Sequence, residues 1–213
     1  MRRLIALATL LSAFIGAPAG AQTAADFDYY VFTLSWSPGF CDTGGAAKQP
    51  GQCANGSGSG FVVHGLWPDS AYAANPEDCG SGAAVSSEAL RLTDGVYPDE
   101  GLARYEYRKH GVCSGLDPVA YFTAVKTLRA AIIVPDALTA PHQTLHLDPA
   151  ELTRAFVAAN PNLQPENMAI TCHDGELIDV RICVAKDLGG FSQCPKVSGH
   201  TCHAKSISVA PLR

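Results

Sequence analysis

Apolar and polar residues follow different rhythms in different parts of this chain, and the changes of rhythm mark its elements. Tyr29 to Ser35 is rich in aromatic and β-branched residues and predicts a strand. Residues 39–60 hold seven glycines and two cysteines with almost nothing to bury, which predicts a loop. That loop leads into a short apolar strand, Gly60-Phe61-Val62-Val63-His64, whose end delivers His64. Asn75 to Gly82 is a second loop, followed by a short helix over Ser86 to Leu92. A longer helix is predicted from Asp99 to His110, stopped by Gly111. Asp117-Pro118 supplies a cap and a first-turn proline to another helix. Its buried stripe runs through Val119, Phe122, Val125, Leu128 and Ile132 at steps of three and four.

Asp148-Pro149 repeats that start, with Glu151 placed for a capping box, and Pro161 ends the helix after Asn160. The rhythm then changes to strands at Met168 to Cys172 and Glu176 to Val184, on either side of the turn dipeptide Asp174-Gly175. Two strands, several helices and then further strands predict an α+β fold with a central, largely antiparallel sheet and flanking helices. No internal repeat or long linker divides the chain, so one domain is expected.

The first 21 residues stand apart. Arg2 and Arg3 precede an apolar run from Leu4 to Ile15, and Ala19-Gly20-Ala21 has the small residues of a cleavage site. This is the layout of a secretory signal peptide, too short and wrongly flanked for a membrane span. It leaves residues 22–213 as the expected mature domain, secreted or periplasmic, with no membrane association. Its removal takes two arginines and no acid, shifting the formal charge from −5 to −7. Such a balance excludes binding of nucleic acid through a broad basic face; a polyanion would have to be held by a few cations in a cleft. Eight cysteines and no Cys-x-x-Cys pair argue for disulfides over zinc. Roughly 105 pairings remain open to sequence alone.

Two blocks carry the candidate chemistry: Phe61-Val62-Val63-His64-Gly65-Leu66-Trp67-Pro68 and Tyr105-Glu106-Tyr107-Arg108-Lys109-His110-Gly111-Val112-Cys113. On a helix, Glu106 and His110 share a face, and Lys109 borders it. A histidine between a carboxylate and an ammonium is pulled both ways and is expected to titrate near neutrality. With His64 supplied from a strand end, a general acid and a general base stand together. That pair suits transphosphorylation of RNA, where one group deprotonates the 2′-hydroxyl and the other protonates the leaving 5′-oxygen. RNA brings its own nucleophile, so no metal, cofactor or nucleophilic side chain is required.

These two blocks, in this order and at about this separation, resemble the ribonuclease T2 family of secreted endoribonucleases. The resemblance implies His110 as general base in the first step and His64 as general acid, with exchanged roles when the 2′,3′-cyclic phosphate is hydrolysed to a 3′-phosphate. Glu106 and Lys109 would stabilise the phosphorane-like transition state. Trp67 and Asp69 fall where some members hold the base 5′ to the scissile bond. Many members carry a histidine where this chain has Tyr105, a group that can donate to phosphate but bears no positive charge. The family's disulfide pattern implies Cys41–Cys53, Cys79–Cys113, Cys172–Cys202 and Cys183–Cys194.

Each reading competes with a plainer one. Trp67 could simply pack against Pro68, and Asp69 is a common turn residue. Glu106 and Lys109 could be an ordinary surface ion pair. His200, Cys202 and His203 look like metal ligands, but a disulfide at Cys202 removes its thiolate. A catalytically silent secreted binding or defence protein on the same fold is the alternative function; it would be expected to have lost one histidine, and both are present. The expectation is therefore a monomeric, metal-free endoribonuclease acting on single-stranded RNA, without an obligate protein partner.

Overall fold

The computed structural model describes residues 24–213, so the expected signal segment lies outside the described residues. Six strands form one sheet: β1 Tyr29–Trp36, β2 Phe61–Asp69, β3 Leu145–Leu147, β4 Met168–His173, β5 Glu176–Ala185 and β6 Ile207–Val209. Their order is β2-β1-β5-β6-β3, with β4 paired to β5, and every pairing is antiparallel except the single-register contact of β5 with β6. The helices are α1 Ser37–Asp42, α2 Ser87–Arg91, α3 Glu100–Lys109, α4 Pro118–Ala131, α5 Pro149–Ala159 and α6 Pro195–Ser198. This is an α+β fold.

The two faces of the sheet divide the work. Tyr30, Phe32, Leu34 and Trp36 of β1 face a core shared with Val63 and Leu66 of β2, Tyr121, Phe122 and Val125 of α4, and Leu152 and Phe156 of α5. The intervening residues of β1, Val31 and Ser35 among them, face the other way. Asp99, Asp117 and Asp148 cap α3, α4 and α5, and Asp148 with Glu151 completes a capping box. Asp174 and Gly175 both take positive φ (48° and 80°), the conformation of a tight turn that closes β4 on β5.

Two expectations need correction. Residues 39–60 are not all loop: α1 begins directly after β1, with Pro38 in its first turn, and the Cys41–Cys53 bridge fastens it. Nor does β2 end at His64. It runs on to Asp69, because as an edge strand it tolerates Pro68, whose missing N–H the sheet does not need. Thr33 pairs with Gly65 and Leu34 with Val63, so His64 is the extra residue of a β-bulge. The bulge lets Val63 and Leu66 both face the core while His64 turns to the opposite face. β3 and β6, three residues each, are too short to have shown in the apolar pattern.

Four disulfides close the fold at Cys41–Cys53, Cys79–Cys113, Cys172–Cys202 and Cys183–Cys194, the same pairs that the family resemblance implies. The strand carrying His64 is pinned from the helix side as well. The buried Tyr121 hydroxyl donates to Leu66 O (2.8 Å) and accepts from Leu66 N–H (3.3 Å). Replacing Tyr121 by Phe leaves both backbone groups buried without partners. Denaturant unfolding should show a loss of about 1–3 kcal/mol.

Candidate active site

Glu106 lies at the centre of the site, on the face of α3 that also buries Ala103 and Tyr107. It is only 1% exposed. Its Oε2 accepts a hydrogen bond from Trp67 Nε1 at 2.6 Å. Gly65 makes this approach feasible: a Cβ there would stand 2.2 Å from Trp67 Nε1 and 2.6 Å from Glu106 Oε2. His64 Nε2 lies 3.6 Å from Oε1, and His110 Nε2 lies 4.0 Å from Oε2. The Trp67 ring stands between the imidazoles, 5.2 Å from His64 and 5.4 Å from His110 by ring centres.

His64, Trp67, Glu106 and His110 are therefore one cluster. The other sequence candidates stand around it. Lys109 pairs with Glu77 at 3.3 Å, at the rim of a cleft of about 230 Å³ that His110, Trp67, Asp69, Asn75, Glu77 and Arg181 help to line. Asp78 N–H donates to Lys109 O (2.8 Å) and the Cys79–Cys113 bridge follows, so the loop that presents Glu77 is fastened to the end of α3. Tyr105 is exposed on α3, with the Lys109 ammonium 6.0 Å above its ring. Asp69 is buried at the far end of β2, where it accepts from Asn75 Nδ2 (2.8 Å) and lies 3.5 Å from Lys196 Nζ. Lys196 also donates to Ser70 O, Ala73 O and Asn75 Oδ1, which ties the loop after β2 to α6.

Charge at the centre is governed by burial. Burial raises the Glu106 carboxyl from its ordinary range to about 7, against the lowering effects of the Trp67 hydrogen bond and Lys109. Burial also lowers His110 to about 4, outweighing the opposing pull of Glu77. Its Nδ1 is buried with no hydrogen-bond partner, so the protonated ring would strand an N–H there. The expected balance between a carboxylate and an ammonium is thus overridden by desolvation. Between about pH 4 and 7, Glu106 keeps its proton and His110 lacks one, so their 4.0 Å approach is a contact of neutral groups. His64 is also lowered, first by burial, with Asp179 opposing.

Sequence reasoning did not single out Ser35, Asp179, Arg181 or Glu77. Ser35 and Asp179 are polar residues inside otherwise apolar strands, and that mismatch was their one available signal. Among the described residues, no group of three or more His, Cys, Asp or Glu side chains is placed to hold a metal ion. Likewise, no helix there is long and apolar enough to cross a membrane.

The family model described as "Ribonuclease T2 family" matches residues 27–194. Ribonuclease DdI of Dictyostelium discoideum is 26% identical, over 83% of this chain and 82% of its own length. A probable ribonuclease of Haemophilus influenzae is 33% identical over 73% of this chain, which spans only 61% of that relative. Among solved structures, an RNase-related protein from Calystegia sepium superposes with a TM-score of 0.68, covering 88% of this chain and 99% of its own, at 20% identity. At that identity the likeness is one of fold.

The buried carboxyl gives stability a definite pH dependence. Its folded pKa is raised, so its contribution is present at low pH and is lost as pH climbs from about 4.5 through 7. His110 has the opposite sign: its folded pKa is lowered, and stability falls as pH drops from 6.5 towards 4. Glu106→Gln keeps the acceptor for Trp67 and removes the ionisation. Urea unfolding should find E106Q close to the parent at pH 5 and more stable at pH 8, by on the order of 1–3 kcal/mol.

Proposed function

The chain belongs to the ribonuclease T2 family and is a T2-type endoribonuclease, and from its site we propose that it cleaves single-stranded RNA by metal-independent acid–base catalysis between His64 and His110. The observation that carries this reading is the cluster itself: two imidazole Nε2 atoms, 3.6 Å and 4.0 Å from opposite oxygens of one buried carboxyl. His110, unprotonated above about pH 4, takes the 2′-hydroxyl proton. His64 protonates the departing 5′-oxygen, and the 2′-oxygen closes a 2′,3′-cyclic phosphate. In the second step His64 activates water, His110 returns the proton, and a 3′-phosphate is released.

A neutral Glu106 suits this chemistry better than an ionised one. The protonated carboxyl donates a hydrogen bond to a non-bridging phosphate oxygen, where a carboxylate would repel it. Lys109 adds positive charge at the rim, and Tyr105 offers a phenol donor beside it. Trp67 and Asp69 serve the neighbouring base. Asp69 is engaged with Asn75 and Lys196, which supports a role in shaping the base pocket together with any direct contact. Single strands are favoured because in-line attack needs a pliable backbone and base stacking needs an unstacked base. We place the enzyme outside the cytoplasm as a monomer, with residues 1–21 as its export signal and residues 22–213 as one catalytic domain; the four disulfides and the family fit an oxidising compartment.

Purified oxidised protein should degrade RNA in excess chelator and leave DNA intact; activity abolished by chelator, or extended to DNA, refutes the mechanism. His64→Phe and His110→Phe should each lower kcat by about 10²–10⁴-fold. On a dinucleoside monophosphate, kcat/KM should rise through about pH 4 as His110 loses its proton. It should fall again below pH 6.5 as His64 loses its own, giving an acidic optimum.

The role of Glu106 is separable by substitution. Glu106→Gln, still a neutral donor, should retain activity within about tenfold, whereas Glu106→Ala should lose about 10²–10³-fold. Equal losses in steady-state kinetics for the two variants would remove the donor role.

A further inference from the structure

Behind His64 a second set of polar groups is buried within the sheet. Ser35 Oγ donates to Asp179 Oδ1 at 2.6 Å, and the same oxygen lies 3.3 Å from His64 Nδ1. The strand register makes this contact: Ser35 of β1 pairs with Asp179 of β5, and the β2 bulge turns His64 onto their face. Asp179 is itself buried, and its Oδ2 accepts from Arg181 Nη2 at 3.2 Å and from Thr171 Oγ1 at 3.3 Å. Thr171 Oγ1 in turn accepts the Asp179 backbone N–H at 3.0 Å.

Proton counting decides the direction. A serine hydroxyl has one hydrogen, and the shorter, charge-assisted bond to the carboxylate claims it. Ser35 therefore presents a lone pair to His64, and Nδ1 must bring the proton. The geometry points to Ser35 and Asp179 as positioning residues for His64: the relay Asp179–Ser35–His64 fixes the Nδ1–H tautomer and aims Nε2 at the substrate. It rests on the acid–base reading above and deepens it. A group that must carry a proton into the reaction needs a partner for its cationic form, and His110, whose Nδ1 has none, is suited to the opposite task.

The charged and titratable groups facing His64 are Asp179 and Arg181 from β5, Glu106 and His110 from the α3 side, and Lys48 from the loop after α1. Burial lowers the His64 pKa, Asp179 holds it up, and Arg181 and Lys48 press it down. Removing the Asp179 charge leaves only lowering influences behind the ring. The alkaline limb of the activity profile must then move to lower pH while the acid limb, set by His110, stays where it is.

The test combines NMR and kinetics. In the parent protein, ¹⁵N shifts of the neutral His64 ring should show Nδ1 protonated and Nε2 bare; the reverse tautomer overturns the relay without any variant. Ser35→Ala should lose that single tautomer and lower kcat about 10–100-fold with KM within about twofold. Asp179→Asn should shift only the alkaline limb and lower the His64 titration midpoint seen by NMR. Two results sink the relay: an unmoved His64 midpoint in D179N, or acid and alkaline limbs that move together. A parent protein that fails to cleave RNA overturns the acid–base reading instead, and the tautomer still decides the relay.

Discussion

A carboxylic acid buried against the edge of a sheet is the constraint on which this site depends. A carboxyl fits on the buried face of its helix at Glu106 because Gly65 offers no side chain to block it and Trp67 offers an N–H at 2.6 Å. Desolvation then favours its neutral form, and the His110 imidazole inherits the same dry surroundings. The supporting contacts keep those two walls in place. Tyr121 grips the backbone of the strand that carries Gly65 and Trp67, and the Cys79–Cys113 bridge joins the end of the helix to the loop bearing Glu77.

The sheet separates stability from chemistry by its two faces. One face carries the large apolar side chains of β1 and receives α4 and α5. The other carries a small apolar group, Tyr29 and Val31 with Cys183 and Cys194, beside polar groups whose partners lie far apart in the chain: 29 residues separate Ser35 from His64, and 144 separate it from Asp179. Local positive charge at the cleft is limited to groups such as Lys109 and Arg181, each already paired with an acid. In a chain with a formal charge of −5, this favours release of an anionic product over its retention.

Much of this was legible in the residues. The stripe of α4, the capping residues of α4 and α5 and the turn at Asp174-Gly175 all follow from local rules that need no tertiary partner. The two blocks pointed to His64, Glu106 and His110 as a set, and the structure brings them together. The electrostatics were not legible. Spacing on a helix shows which charges are near His110, but not how much water has been removed from around it. Nor was the bulge, because an extra residue in β2 exists only relative to the register of β1. Ser35 and Asp179 escaped for a related reason: their meaning comes from strand pairing, which periodicity in one segment does not encode.

The bulge at His64 also makes the length of β2 a chemical variable. Side chains on a regular strand change face at every step, and a bulge is where a residue can be gained or lost without turning over everything beyond it. Losing Gly65 would restore regular alternation and leave His64 opposite the core, yet it would also remove the position whose missing side chain lets Glu106 Oε2 meet Trp67 Nε1. Substitutions in this segment change how well the site works, whereas a deletion here would spare the ladder and take out a part of the site. Within these few residues, counting matters as much as composition.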